Sequence, residues 1–298
     1  MEAKQLEAVQ VTAGVDWATL TMRRDKAWSE IWCQRAYACL CAIGGGQERL
    51  TPANLMGYIG VRSEGCFVGS REDGYIAILA SHHANEHWGT LVYPGVHVAR
   101  LDVQCTVRLS ETVSTIARDS YSGANDANSR LPVARRRKLY IITGSDGGDT
   151  LYVGAPSSNQ RGRLYNKAVQ SMEDEYKDCW RWEVMLRDEL AHSCAESVPA
   201  DPGARALWAV QFVRHWWRAR GVSLPPIDID EVDLKPLQRT KATDDESTLN
   251  WLRSQVAPAI TRLTQRGYGE TIRTIVADAI AAGDPGTAIS AAYDGADA

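Results

Sequence analysis

The sequence predicts an α+β fold, a central antiparallel β-sheet domain followed by a helical C-terminal region. Three observations carry this expectation. Several segments alternate apolar and polar residues with period two, glycine-rich breaks separate neighbouring segments, and beyond residue 195 the spacing turns helical.

The elements follow in order. Val15-Asp16-Trp17-Ala18-Thr19-Leu20 reads as a strand, and Trp28 to Cys41 as a helix that Gly44-Gly45-Gly46 stops. From Tyr58 to Ala80 short β runs are broken by glycines: Gly60-Val61, Cys66-Phe67-Val68 and Tyr75-Ile76-Ala77-Ile78-Leu79. Val96 to Val107 alternates strictly, with Ala99, Leu101, Val103, Cys105 and Val107 on one face and Arg100, Asp102, Gln104 and Thr106 on the other. Leu139 to Thr143 and Thr150 to Val153 flank the turn formers 144–149 and read as a hairpin. Arg163 to Lys167 then leads into an expected helix from Ala168 to Lys177. Arg181 to Arg187 alternates again, placing Trp182, Val184 and Leu186 opposite Arg181, Glu183, Met185 and Arg187.

Asp201-Pro202 caps a helix containing Leu207 to Trp217, and Gly221 stops it. A Pro/Asp-rich linker is expected over 224–245. Thr243 and Glu246 suit a capping box for a helix striped by Leu249, Leu252, Val256, Ile260 and Leu263. The expected domains are therefore 1–195, the sheet domain, and 196–298, a helical region with an acidic tail.

At 298 residues and 32.8 kDa, with 44% hydrophobic and 23% charged residues, the chain has the composition of a folded protein with a substantial core. No window approaches the length of apolar sequence that spans a bilayer, so no membrane role is expected. The start, MEAKQLEAVQ, lacks the apolar stretch of a signal peptide. Seven cysteines without a CxxC pair suit reduced thiols in a cytoplasm. The formal charge of −4 is that of the segment from Tyr268 onward, which holds five acids and one base. The rest is neutral overall but clustered: Arg130, Arg135, Arg136, Arg137 and Lys138 form a basic run without an acid. Such a stripe can bind phosphates although the whole chain is acidic; a solvated loop is the equal alternative.

Two constellations stand out. Ser81 to His87 packs His82, His83 and His87 beside Glu86, but HExxH is absent and the segment reads as a polar loop rather than a metal site. P-loop, GxGxxG and GxSxG motifs are absent, as is any His-hydrophobic-His triplet. The second constellation spans three segments. Asp102 beside Arg100 and Glu183 beside Arg181 lie on polar strand faces, and Arg163, Tyr165 and Lys167 share a face if extended. Two acids on adjacent strands could hold a hard divalent cation, and a tyrosine between cations could attack a phosphodiester. Plain Arg–carboxylate pairing on a wet sheet face is the structural alternative.

Arg100-Leu101-Asp102, Thr150 to Gly154, Arg163-Leu164-Tyr165-Asn166-Lys167 and Trp180 to Arg187 occur in that order, and together they resemble the replication initiation factor family. These are the tyrosine nickases of rolling-circle plasmids and filamentous phages, related to relaxases of integrative elements. Thr248 to Leu252 with Gln255 to Pro258 is similar to the tail of phage-type members. The resemblance implies a five-stranded antiparallel sheet in the nicking domain and Tyr165 as the nucleophile, with Arg163 and Lys167 beside it. It also implies Asp102 and Glu183 as ligands of Mg2+ or Mn2+. Tyr176 is a second tyrosine without a matching motif. Two departures stand against the family pattern: Gly154-Ala155-Pro156 replaces Gly-Ser-Arg, and Thr106 occupies the place of a second aspartate.

The implied function is rolling-circle initiation: origin DNA is nicked through a covalent 5′-phosphotyrosine, leaving a 3′-hydroxyl primer. Arg100, Arg135, Arg136, Arg137, Lys138 and Arg161 are the expected DNA-binding cations. A host helicase and DNA polymerase are the implied partners, with dimer contacts in the helical region and a bacterial cytoplasmic location. The alternatives are a relaxase of an integrative or conjugative element and a non-enzymatic DNA-binding protein. Trp216-Trp217 is expected in the core rather than stacked on bases.

Overall fold

The computed structural model describes residues 8–80, 82–92, 95–110, 114–144, 148–171, 174–227, 260–261 and 263–282. Ten strands form one sheet: β1 (Ala8–Arg23), β2 (Thr51–Leu55), β3 (Tyr58–Ser63), β4 (Cys66–Arg71), β5 (Gly74–Ala80), β6 (His97–Leu109), β7 (Leu139–Ile142), β8 (Thr150–Val153), β9 (Gln160–Asn166) and β10 (Cys179–Arg187). Their order is β2-β3-β4-β5-β1-β6-β10-β9-β8-β7, and every neighbouring pair is antiparallel. The expected α+β class is thus the observed one.

The sheet is twice as wide as the five strands that the family resemblance implied. The reason is local: the glycine-broken runs after residue 50 fold back as a meander, each strand pairing with the next. At the β3–β4 turn Glu64 and Gly65 both have positive φ (46° and 77°), the twist that closes a two-residue hairpin. On the opposite edge the expected β7–β8 hairpin forms, with residues 145–147 of its turn outside the described residues.

Seven helices are seen among the described residues: α1 (Ser29–Gly44), α2 (His82–Leu91), α3 (Ile116–Ser129), α4 (Lys167–Ser171), α5 (Asp188–Ala195), α6 (Pro202–Arg218) and α7 (Gly269–Ala282). The glycine stop of α1 is realised at Gly45, whose φ of 71° lets its N–H and that of Gly46 turn back onto Ala42 and Cys41. The histidine-rich segment is a helix, α2, not a loop. Val15 N–H donates to Asn85 of this helix, and Ala84, Trp88 and Leu91 bury its inner face.

The alternation read from β6 and β10 is observed from Leu101 onward; at Ala99 a register shift against β1 interrupts it, so that Val98 is buried and Ala99 half-buried. Leu101, Val103, Cys105, Val107, Trp182, Val184 and Leu186 are fully buried in one core. The helix α6 packs against β1, β6 and β10, with Asp201 accepting from Ala204 N–H at its start. Its approach depends on Gly162 of β9, where a Cβ would lie 2.5 Å from Trp216 and 2.7 Å from Trp217. Trp216 and Trp217 are therefore core residues. All seven cysteines are free thiols.

Two compact units divide the chain, Met1–Arg239 and Thr240–Ala298. The first contains α5 and α6 with the sheet, and the tryptophans of α6 belong to the sheet's core. In the second unit a helical turn at Thr264–Tyr268, kinked at Gly267, leads into α7. The expected linker beyond 227, the Thr243/Glu246 capping box, the positions Leu249, Leu252 and Val256, and the tail from residue 283 lie outside the described residues. No helix among the described residues is long and apolar enough to cross a membrane.

Candidate active site

Antiparallel pairing brings the second constellation together. Glu183 of β10 stands opposite Gln104 of β6 and opposite Arg163 of β9; Arg181 stands opposite Thr106 and Tyr165. Directly paired residues share a face, so these side chains converge on the polar side of the sheet. Asp102 lies diagonally from Glu183, opposite Met185.

Glu183 is the hub. Only 2% exposed, it accepts from Tyr165 Oη at 2.6 Å, from Arg163 Nε at 2.8 Å and from Arg163 Nη2 at 3.0 Å. The Arg163 guanidinium also lies 4.4 Å from the centre of the Tyr165 ring. Arg181 Nη1 is 4.0 Å from Glu183 and donates to Asp16 at 3.1 Å, while its Nε donates to Thr106 at 2.7 Å. Asp16 reaches Arg181 because a register shift between Val15 and Trp17 falls at that residue of β1.

Burial and the adjacent Glu183 charge push the Tyr165 phenol well above its usual pKa, against the opposing pull of Arg181 and Arg163. The hydroxyl is thus a protonated donor at neutral pH, already seated on a proton acceptor. Burial, Glu183 and Asp16 raise the Asp102 carboxyl, and although Arg100 pulls it down the balance leaves it at about 6. Arg100 holds Asp102 with two hydrogen bonds of 3.0 and 2.6 Å and lies over the Trp17 ring. Neither acid lies on a wet face, as simple surface pairing would have had them; Asp102 is 5% exposed.

That geometry decides how a divalent cation would fare. Both oxygens of Asp102 are taken by Arg100, and both oxygens of Glu183 by Arg163 with Tyr165. Among the described residues no three His, Cys, Asp or Glu side chains are grouped to hold a metal. His83 instead faces Glu64 and Glu86. As arranged, the acids are neutralised by guanidinium groups and do not fit Mg2+ or Mn2+.

A cleft of about 800 Å3 adjoins the cluster, lined in part by Asp16, Gln104, Thr106, Lys167, Tyr176 and Arg181. Arg181, the strand partner of Tyr165, lines this cleft, whereas Tyr165 itself is 4% exposed and does not. Where a helix from Ala168 to Lys177 was expected, the described residues form α4, begun at Lys167 with Asn166 Oδ1 accepting from the N–H groups of Ala168 and Val169, and a 3-10 turn at Asp174–Tyr176; residues 172–173 lie outside the described residues. Tyr176 lines the cleft, with the Lys167 ammonium 5.1 Å from its ring centre. Sequence reasoning missed Asp16 and the structural part of Arg181; the acid in the otherwise apolar Val15-Asp16-Trp17 was the available signal.

Of the remaining cations, Arg161 of β9 lies over the Tyr152 ring of β8. Arg135, Arg136, Arg137 and Lys138 run from a 3-10 turn (Val133–Arg135) into the start of β7, exposed or half-buried.

No protein-family model matches this chain, and no curated protein matches it in sequence. Among solved structures it is similar to a rolling circle replication initiator protein from Geobacillus stearothermophilus. The TM-score is 0.51 at 22% identity, over 70% of this chain and 85% of that one. At this identity the likeness is one of architecture, and it is the architecture to which the four ordered motifs had pointed. The chain has the fold of a rolling circle replication initiator.

Proposed function

We propose that this protein is a replication initiator that nicks one strand of origin DNA by transesterification, with Tyr165 as the attacking group. The observation that carries the reading is the Tyr165 hydroxyl held at 2.6 Å on Glu183 between Arg163 and Arg181. In this reaction the Tyr165 oxygen forms a bond to phosphorus and its proton passes to Glu183. The P–O3′ bond breaks, and the leaving oxygen becomes a 3′-hydroxyl with a proton from Lys167 or water. Arg163 and Arg181 stabilise charge gathering on the phosphate oxygens. The phosphotyrosyl ester conserves the energy of the broken bond, so rejoining needs no nucleotide. Plasmid or phage DNA in a bacterial cytoplasm is the substrate, with a host helicase and polymerase extending the primer.

Tyr165 is 4% exposed and meets a phosphate only when the residues around it draw aside. Its burial therefore favours a second reading, in which Tyr176, already on the cleft beside Lys167, is the attacking tyrosine. A relaxase would use the same chemistry on a transfer origin, and a purely DNA-binding protein would form no ester. Mg2+ or Mn2+ at Asp102 and Glu183 requires the two arginine pairs to open. Nicking compared in EDTA, Mg2+ and Mn2+ tests that requirement.

The deciding experiment is a denaturing gel of protein with supercoiled or labelled single-stranded origin DNA. Wild type should give a detergent-resistant, protease-sensitive adduct, and Tyr165→Phe should abolish it while retaining binding. Loss of the adduct in Tyr176→Phe alone transfers the role to the cleft tyrosine. No adduct with any origin returns the protein to the class of DNA binders.

A further inference from the structure

A second cavity, of about 350 Å3, opens where the basic run meets the end of α6. Its lining includes Arg136, Arg137, Lys138, Gly154, Trp216 and Arg220, and no aspartate or glutamate. Four cations thus surround one small space without a counter-charge. Like charges in a partly buried site repel more strongly than in water, so such a group is costly unless an anion joins it.

The cations are held in place. Asn128 clamps the backbone of Arg137 from both sides, donating to its carbonyl at 2.9 Å and accepting from its N–H at 2.7 Å. Arg136 is tied to the carbonyls of Leu131 and Ser129. Arg220 stacks 3.5 Å over the Trp216 ring and donates to Gln160 Oε1 and to the Trp216 carbonyl, each at 2.7 Å. All these partners are neutral, and the buried Arg220 Nε–H has no acceptor. Burial, and then the charge of Arg137, lower the Arg220 pKa to about 9, the direction expected of a cation that lacks an anion. A solvated loop would need neither the Asn128 clamp nor a buried guanidinium at its base.

We infer that this cavity is a phosphate-binding site, with Arg137, Lys138 and Arg220 on the anion and a phosphodiester of a DNA strand as the occupant. Guanidinium forks bind the oxygens of a phosphate through paired, charge-assisted N–H···O bonds, and the Lys138 ammonium adds a point charge beside them. That the occupant is DNA rests on the nickase reading; the phosphate chemistry does not.

The test uses the full chain with two probes, a 12-nucleotide single-stranded oligonucleotide and inorganic pyrophosphate. Arg137→Gln, Lys138→Gln and Arg220→Gln are compared with Arg62→Gln, which removes the same charge from an exposed position on β3. Each cavity variant should weaken oligonucleotide binding about tenfold in 0.1 M salt and reduce the log–log salt slope by about 0.7, while Arg62→Gln changes neither. Pyrophosphate should bind wild type one-to-one and compete with the oligonucleotide. Pyrophosphate binding without competition keeps the site and assigns it to free phosphate. Equal effects of Arg62→Gln and the cavity variants, or no binding of either probe that depends on Arg137, overturn the inference. Arg137 makes no packing contact comparable to the Arg220 stack, so its variant remains informative if Arg220→Gln unfolds. The adduct assay is scored separately: a protein that binds both probes at this cavity and forms no adduct loses the nickase reading and keeps this site.

Discussion

Asp102 shows how a single residue is set by its surroundings. Its carboxyl is raised to about 6, whereas in the unfolded chain it titrates near the ordinary aspartate value of about 3.9. The native state therefore holds this proton more tightly than the unfolded one. The sign follows: this group makes the fold most stable below about pH 4, and stability is lost as pH rises to about 6, then stays level. The span corresponds to on the order of 2–3 kcal/mol. Urea unfolding between pH 4 and 7 should show this decline in wild type, and Asp102→Asn should flatten it. An unchanged decline in the variant would place the titration elsewhere. Glu183 differs because it has two cationic neighbours and a phenol donor, so removing it would strand Arg163 in a largely buried position. Tyr165→Phe deletes one hydrogen bond, about 1 kcal/mol, and so separates chemistry from stability more cleanly.

Among the elements, β9 and α6 depend on one another. The strand presents Arg163 and Tyr165 on its polar face and, through Gly162, leaves room on the other face for Trp216 and Trp217. Gly162→Ala places a methyl inside the contact distance of both rings, so either the helix moves or the strand bends. The expected cost is about 3 kcal/mol, read as a lower urea midpoint, with loss of the native tryptophan fluorescence. A midpoint equal to wild type would mean that α6 does not rely on this contact. Beyond β9, five residues of the short piece α4 are described and a 3-10 turn at Asp174–Tyr176, and the two tyrosines differ in setting: Tyr165 is buried on β9 and Tyr176 lines the cleft.

For the whole molecule, the core residues among those described all belong to the unit ending at Arg239. A chain truncated there should keep the full chain's main urea midpoint and its m-value, since m follows the surface buried by the core. A drop in midpoint would show that residues 240–298 contribute to the stability of the sheet. Charge is organised at the same scale: a run of bases lies on an acidic chain, and two of its arginines line one cavity with Arg220 only because the end of α6 reaches Gln160 and Gly162 of β9.

What the sequence determined by itself is whatever depends on near neighbours along the chain. Period-two alternation assigned the faces of β10, and of β6 from Leu101 onward, the glycines after α1 ended it, and Asp201-Pro202 began α6, because dihedral preferences and caps act over a few residues. It also put Arg163, Tyr165 and Glu183 among the candidates. Their meeting, however, is a matter of strand register, which long-range packing selects, and no local pattern encodes that Glu183 would stand opposite Arg163. The same holds for the acids. Sequence presents Asp102 and Glu183 as equivalent carboxylates, while tertiary structure gives each its own arginine and both a buried setting, turning an expected metal pair into two ion pairs. Tyrosine burial was equally undecided by sequence, since Arg181, the strand partner of Tyr165, is held by Asp16, 165 residues earlier. Contacts that distant are decided by how the strands assemble.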